Sequence, residues 1–171
     1  LIVGAPGEDE DASEANSLNA AGSAYIFKKD QGGTGNWGQF RKLVPTIRAA
    51  NDVFGFAVSI NGPFAIVGAQ GESEDASEDN SLNRAGGAYI FQKDQGGTDV
   101  WGQEQKIVAA ARAMDDEFGI SVSVSGNFAI VGAWQEDEDA SDANTILNAG
   151  SAYVFKTSGP LPVTLATFEA V

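Results

Sequence analysis

The sequence predicts an all-β protein made of tandem four-stranded antiparallel blades of the β-propeller type, with a ring that is incomplete within this chain. Three observations support this fold class. The tetrapeptide Ile-Val-Gly-Ala begins at residues 2, 66 and 130, that is, every 64 residues, and a fixed period of this size is typical of repeat proteins. Apolar and small residues alternate over residues 56–60 and 120–124, which is the period of a β-strand. Asn61-Gly62 and Ser125-Gly126 follow these runs, and such pairs favour tight hairpins.

The period divides the chain into a partial blade, two complete blades and a tail. Residues 1–29 hold the last two strands of a blade. Residues 30–92 and 93–156 each hold a complete blade, whose first strand begins at Trp37 or Trp101. Residues 157–171 form a linker and a tail strand, because Leu165 stands where the next Trp would fall. Two and a half blades cannot close a ring, which takes roughly four to eight of them.

Composition excludes several function classes. Ten basic residues against 24 acidic ones give a net charge of −14. Binding to nucleic acid or to an anionic membrane surface needs clusters of Lys and Arg, so neither partner is expected. The chain has no Cys and no His, which excludes Cys nucleophiles, His-based acid–base catalysis and nearly all zinc sites. No apolar run approaches the roughly 20 residues of a membrane span, so no membrane insertion is expected.

Phe-Gly and Gly-Ala motifs recur at fixed places in the unit. The Phe-Gly pairs are Phe54-Gly55 and Phe118-Gly119, and the Gly-Ala motifs are Gly4-Ala5-Pro6, Gly68-Ala69-Gln70 and Gly132-Ala133-Trp134. Over about residues 1–155 the chain therefore resembles the FG-GAP repeat family, known from the propellers of integrin α-subunits, and is closest to its bacterial secreted branch. The resemblance implies a β-propeller fold and an extracellular or bacterial cell-surface location. It does not imply the integrin calcium loop, because residues 59–63 form a turn without carboxylates in its place.

The tail over residues 161–170 is similar to a junction found in secreted Bacteroidota proteins. There it leads into a C-terminal β-sandwich or a secretion-sorting module. This second resemblance implies a secreted protein with more chain beyond Val171.

Acidic loops follow each Gly-Ala motif and offer the main candidate site. Their carboxylates recur at aligned positions, and the candidate calcium ligands are Glu8, Asp9, Asp11, Glu72, Asp75, Glu136, Asp137 and Asp139. Calcium takes six to eight oxygen ligands, which a loop this rich in carboxylates can supply. The alternative is a solvated acidic loop that keeps a stacked β-protein soluble and blocks edge pairing. Both interpretations stay open at this stage.

Trp134 stands out among the aromatic residues. The repeat does not require it, since its aligned positions hold Pro6 and Gln70, and aromatic side chains of this kind are common in contact surfaces. It is therefore the candidate interaction residue.

The predicted function is that of a non-enzymatic extracellular module for adhesion, protein–protein interaction or self-assembly, whose open blade edges allow a head-to-tail ring or filament. Its partners are other proteins or copies of itself. The alternative is a glycan-binding propeller, or the propeller portion of a secreted hydrolase in which paired carboxylates such as Asp137 and Asp139 act. Against catalysis, the acidic residues recur in every unit, whereas a catalytic site usually breaks the symmetry of a repeat.

Overall fold

A computed structural model describes residues 1–137, 145–157 and the backbone of residues 164 and 165. Asp139, one of the candidate calcium ligands, lies outside the described residues. The described chain holds eleven strands and no helix. These strands are β1 (Ile2–Ala5), β2 (Ser23–Lys29), β3 (Trp37–Leu43), β4 (Ala57–Asn61), β5 (Phe64–Ala69), β6 (Gly87–Lys93), β7 (Trp101–Ile107), β8 (Ser121–Ser125), β9 (Phe128–Ala133), β10 (Ser151–Lys156) and β11 (Thr164–Leu165).

The strands form three separate antiparallel sheets. The first sheet has the order β1-β2-β3, the second β4-β5-β6-β7 and the third β8-β9-β10-β11. Tight turns join β4 to β5 and β8 to β9, where Asn61 pairs with Phe64 and Ser125 with Phe128. The predicted all-β architecture of antiparallel blades is confirmed, and the sheets do not close into a ring.

The predicted place of the Trp strand within a blade is wrong. β7, which begins at Trp101, pairs with β6 and is the last strand of the second sheet. The physical reason is loop length: residues 94–100 form a short turn between neighbouring strands, whereas residues 108–120 are long enough to cross to the next sheet. Each sheet therefore starts at the Phe-Gly strand. The first sheet, predicted to hold two strands, has three and lacks only a Phe-Gly strand, while β11 falls within the tail and takes the place of the Trp strand in the third sheet.

The sheets stack face to face with an apolar core in each gap. The first core lies between the first and second sheets and includes Ala24, Ile26, Leu43, Phe54, Val67, Tyr89 and Phe91. The second core lies between the second and third sheets and includes Ile66, Ile90, Ile107, Phe118, Val131, Tyr153 and Phe155. The second sheet is thus buried on both faces, which explains the unbroken apolar runs of β5 and β6. We call residues that lie 64 or 128 positions apart counterparts.

Candidate functional site

Main-chain hydrogen bonds join neighbouring units across each gap. Their donors lie in the connection that precedes a Phe-Gly motif. In the first gap, the N–H groups of residues 51, 53 and 54 donate to the carbonyls of residues 19–21 over 2.8 to 3.0 Å. In the second gap, the N–H groups of residues 115, 117 and 118 donate to the carbonyls of residues 83–85 over 3.0 to 3.1 Å. The two Phe residues also form single parallel bridges, Phe54 with Gly22 and Phe118 with Gly86. We call this arrangement the ladder.

Two side chains on β4 accept further hydrogen bonds across the second gap. The Val124 N–H donates to Ser59 Oγ, and the Gly126 N–H donates to Asn61 Oδ1, both over 3.1 Å. Their counterparts on β8 are Ser123 and Ser125. The third sheet therefore has a serine hydroxyl at each of the two positions from which a β4 side chain accepts a hydrogen bond from the neighbouring sheet.

The outer face of the third sheet is open. Phe128 and Ile130 are 55% and 39% exposed, whereas their counterparts Phe64 and Ile66 are 6% and 0% exposed. Ile146 and Leu147 at the end of the third acidic loop are also exposed. Within the described part of the chain, no backbone N–H donates to the carbonyls of residues 147–149, the counterparts of residues 83–85. The third sheet thus presents both the apolar face and the carbonyl row that a neighbour covers elsewhere.

The outer face of the first sheet is the complementary surface. Val3 is exposed, whereas its counterpart Val67 is fully buried in the first core. Tyr25 and Phe27 are half-buried beside it, and their counterparts Tyr89 and Phe91 are buried. In the described residues β1 pairs with β2 alone, so its other edge is free.

Turn carboxylates in the acidic loops hold the loops' own backbone. Asp11 Oδ1 accepts hydrogen bonds from Ser13 N at 2.8 Å and from Ser13 Oγ at 2.7 Å. Its counterpart Asp75 accepts the same two bonds from Ser77. The Ser13 hydroxyl and other donors hold the pKa of Asp11 far below its usual range, and bonds from Asn80 and Ser77 do the same to Asp75. Both residues therefore have a structural role as acceptors in a turn.

The first glutamate of each acidic loop accepts a hydrogen bond from a tyrosine on the strand that follows the loop. Glu8 accepts a hydrogen bond from the Tyr25 hydroxyl at 2.7 Å, and Glu136 accepts one from Tyr153 at 2.8 Å. The Tyr89 hydroxyl donates in the same way to Glu72, which is 2% exposed. Burial, then the charge of Glu72, strongly raises the pKa of Tyr89, so this hydroxyl stays a donor at any ordinary pH.

Asp9 and Asp137 close the far end of their loops. Asp9 Oδ1 accepts a hydrogen bond from Ala20 N at 2.7 Å, and Asp137 Oδ1 accepts one from Asn148 N at 2.6 Å. All seven described candidate ligands are thus hydrogen-bond acceptors within the protein.

Cations from the following strand and linker bind the acidic loops, and the sequence analysis missed them. Lys106 Nζ lies 3.2 Å from Glu72 and 2.8 Å from Glu78, and its side chain is buried. Lys42 makes the counterpart contact with Glu14 at 2.9 Å. The guanidinium of Arg48 donates to two carbonyls of the first loop, and that of Arg112 does the same in the second. The signal was available, because both pairs of cations recur with the 64-residue period.

Among the described residues, two groups of carboxylates are close enough to share a cation. They are Glu8, Glu10 and Glu14 in the first unit, and Asp52, Glu72 and Glu74 in the second, with ligand oxygens within 4.8 Å of one another. Burial, followed by the charge of Glu72, raises the pKa of Asp52 to about 7. Oxygen donors of this kind suit calcium, but Lys42 and Lys106 already lie beside the two groups. Calcium binding by the acidic loops therefore stays one of two open interpretations.

Comparison with known proteins agrees with the repeat geometry. The family model of the FG-GAP repeat matches residues 37–91 and residues 101–155, which together make up more than half of the chain. The chain belongs to the FG-GAP repeat family. A search of curated proteins found no match. The predicted family is confirmed, and the chain is a β-propeller-like repeat module of a kind typical of extracellular and surface proteins.

The glycines of the FG-GAP motif meet across each gap. A Cβ placed on Gly68 would lie 1.9 Å from the carbonyl oxygen of Gly119, and one on Gly4 would lie 1.8 Å from that of Gly55. Gly55 and Gly119 both have a φ of +93°, which L side chains rarely adopt. The motif therefore holds two backbones in contact at each sheet-to-sheet junction of this FG-GAP chain.

Trp134 lies where the FG-GAP proline stands in the first unit. Its side chain is largely exposed, and its Nε1–H donates to Glu117 Oε2 at 2.5 Å. Glu117 in turn forms an ion pair with Arg84 of the second acidic loop. The predicted interaction residue is thus a surface aromatic in a fixed orientation. Among the described residues there is no helix long and apolar enough to cross a membrane.

Proposed function

We propose that this chain is a non-enzymatic module of a secreted or bacterial cell-surface protein, and that it binds protein partners, copies of itself included, through its two terminal sheets. The observation that carries the proposal is the exposure of Phe128 and Ile130, since their counterparts Phe64 and Ile66 are buried. Contiguous exposed apolar side chains mark contact surfaces in soluble proteins. The occurrence of FG-GAP repeats in extracellular and surface proteins supports the location.

Head-to-tail contact between two copies is the simplest form of this function. Such a contact would place Phe128, Ile130 and Val154 of one copy against Val3, Tyr25 and Phe27 of the next. The second core already contains this contact. There the counterparts of Phe128, Ile130 and Val154 lie together with Val131, Tyr153 and Phe155, which are the counterparts of Val3, Tyr25 and Phe27. Because the two surfaces differ, the contact repeats without being self-complementary and generates a ring or a filament.

Sedimentation velocity over a wide concentration range tests this proposal. We expect the sedimentation coefficient of the natural chain to rise with concentration. A chain carrying both Phe128→Asp and Ile130→Asp should stay monomeric and folded, because the two exposed side chains tolerate charge. A natural chain that is folded and monomeric at every concentration would contradict self-assembly, and adhesion would then depend on a different partner.

The second candidate function is glycan binding, as a glycan-binding propeller or as the propeller portion of a secreted hydrolase. The observation that favours it is the exposed indole of Trp134, which its hydrogen bond to Glu117 holds in place. A fixed aromatic face is a common platform for sugar rings. A glycan array separates the two functions: reproducible binding that Trp134→Ala abolishes and Phe128→Asp preserves would favour the glycan.

A further inference from the structure

We infer that the open end of the third sheet recognises one kind of partner: a repeat unit that presents a segment of the form Asp-x-Phe-Gly followed by a strand. This inference rests on the proposed interaction function and specifies its partner. The chain itself contains the segment twice, at residues 52–55 and 116–119. Both of those segments already fill the gaps between its own sheets.

The open end offers backbone carbonyl acceptors to such a segment. In both filled gaps, three N–H groups that lead into Phe-Gly donate to three successive carbonyls at the end of an acidic loop. The carbonyls of residues 147–149 have the same positions in the third unit. An extended segment that adds main-chain hydrogen bonds gains affinity from its backbone, and pockets for its side chains supply specificity.

The glycine of the segment is required by the close contact of two backbones. Gly132 is the counterpart of Gly4 and Gly68, but the atom nearest to a Cβ placed on it is Ser121 Oγ of its own sheet, at 2.5 Å. Beside Gly132, the Ser121 hydroxyl thus lies on the side where the carbonyls of Gly55 and Gly119 approach Gly4 and Gly68 in the filled gaps, and it can turn away from a partner backbone. A partner residue other than glycine would meet the third sheet, because a Cβ on Gly119 would lie 2.2 Å from the Gly87 carbonyl.

The phenylalanine and the aspartate of the segment have separate roles. Phe118 is fully buried, in the same core as Ile66 and Ile90 of the preceding sheet. Ile130 and Val154 are their counterparts on the open face, so they form the apolar contact for a partner Phe. The aspartate acts within the segment, since Asp52 Oδ2 accepts a hydrogen bond from Ala49 N at 2.7 Å and holds the turn that precedes Phe-Gly.

A plain second copy meets only part of these requirements. Its first sheet brings apolar side chains to the open face, but the described chain has no Phe-Gly strand in that sheet. Copies therefore associate through apolar contact without the ladder and without the glycine contact. A partner whose facing sheet is complete adds both.

The test uses the full chain as acceptor and a completed chain as partner. The partner is the same chain with the sequence of residues 49–64 added before Leu1, whose counterpart is Ala65. The partner also carries Gly132→Ala, so that its own open end is blocked. By isothermal titration calorimetry we expect it to bind the natural chain about 100-fold more tightly than two natural chains bind each other.

Two matched glycine variants of the acceptor locate the contact. Gly132→Ala should weaken partner binding at least about tenfold, because the new methyl group takes the place of the partner backbone. The acceptor itself should keep its melting temperature, since only the movable Ser121 hydroxyl lies near the new atom. Gly7→Ala is the control, because nothing lies within 4 Å of its Cβ position. A partner with Phe→Ala and Gly→Val in the added segment should bind no more tightly than two natural chains bind each other.

A labelled peptide with the sequence of residues 113–125 provides a second probe should the lengthened chain fail to fold. It is expected to bind the natural acceptor and the Gly7→Ala variant, and to bind Gly132→Ala at least about tenfold more weakly. Equal binding to all three acceptors would overturn the inference while the interaction function stands. Absence of binding by both probes would overturn the inference too. Self-assembly would fail with it only if sedimentation also found monomers alone.

Discussion

The strands β5 and β9 have the same sequence, Phe-Ala-Ile-Val-Gly-Ala, in two different settings. All six residues of β5 are buried, whereas buried and accessible residues alternate along β9. Both strands pair on both sides in the same register, with Ile66 opposite Ile90 and Ile130 opposite Val154. The difference is therefore the sheet that covers one face of β5. In this repeat the local sequence decides that a strand forms, and the neighbouring sheet decides whether its second face is core or contact surface.

The glycines of these two strands provide the largest expected effect. Gly68→Ala puts a methyl group 1.9 Å from a backbone carbonyl that cannot turn away, so it should lower the free energy of unfolding by at least about 3 kcal/mol. Gly132→Ala meets only the Ser121 hydroxyl and should change it by less than about 0.5 kcal/mol. Urea unfolding of both variants checks the pair. Similar losses at the two sites would mean that Gly132 is already covered.

The two buried lysines extend the comparison to the acidic loops. Lys106→Met leaves Glu72 buried with no ammonium group beside it, and Glu72 is far less exposed than its counterpart Glu8. Removal of one partner of a buried ion pair costs about 3 kcal/mol, whereas Lys42→Met should cost only about 1 kcal/mol because water reaches Glu8. Thermal unfolding monitored by circular dichroism measures both. A larger loss for Lys42 would contradict the role assigned to burial.

The free energy of unfolding should depend on pH through Asp52. This residue belongs to the carboxylate group of the second unit, and the group that contains Glu8 has no aspartate. Burial raises its pKa to about 7 in the folded chain, against about 4 when unfolded. Between these values the folded state holds a proton that the unfolded state has lost, so stability falls as pH rises from about 4 to 7. Glu72, Glu74 and Lys106 face this carboxyl.

The Asp52→Asn variant isolates this contribution. It should flatten the slope, so that between pH 5 and pH 8 it loses at least about 1 kcal/mol less stability than the natural chain. Urea unfolding at both pH values is the measurement. Parallel losses in the two proteins would show that Asp52 is ionised in the folded state.

Calcium is expected to have the smallest effect. Lys42 and Lys106 already place one ammonium group beside each of the two carboxylate groups, and Asp11 and Asp75 already accept hydrogen bonds from their own loops. Melting temperatures in EDTA and in millimolar calcium should therefore agree within about 2 °C, as expected where no ligand binds the native state preferentially. A clear rise in calcium would support the calcium interpretation of these loops.

Local sequence was enough to predict the strands and their faces. The alternation over residues 56–60 places Val58 and Ile60 in the first core, while Ser59 faces the next gap, as its bond from Val124 shows. Which strand begins each sheet was harder to predict, because a periodic sequence can be divided into units at any point. What decides it is the hairpin of residues 94–100, which joins the Trp strand to the strand before it.

The partners of the acidic loops were harder to predict from the sequence. Lys106 reaches Glu72 across 34 positions, and no local pattern links a lysine on one strand to a glutamate in a distant loop. The open face was also inaccessible to pattern analysis, because β5 and β9 have identical letters. Only the stacking order separates a core residue such as Ile66 from a surface residue such as Ile130.

Hydroxyl-radical footprinting with mass spectrometry tests the central claim most directly, because it compares Phe64 with Phe128 in identical hexapeptides. The exposures of 6% and 55% predict that Phe128 is oxidised several times faster than Phe64 in the free chain. Addition of the partner completed with residues 49–64 should slow oxidation of Phe128 to the rate of Phe64. Equal rates at the two positions in the free chain, or no protection by a partner that binds, would contradict the account.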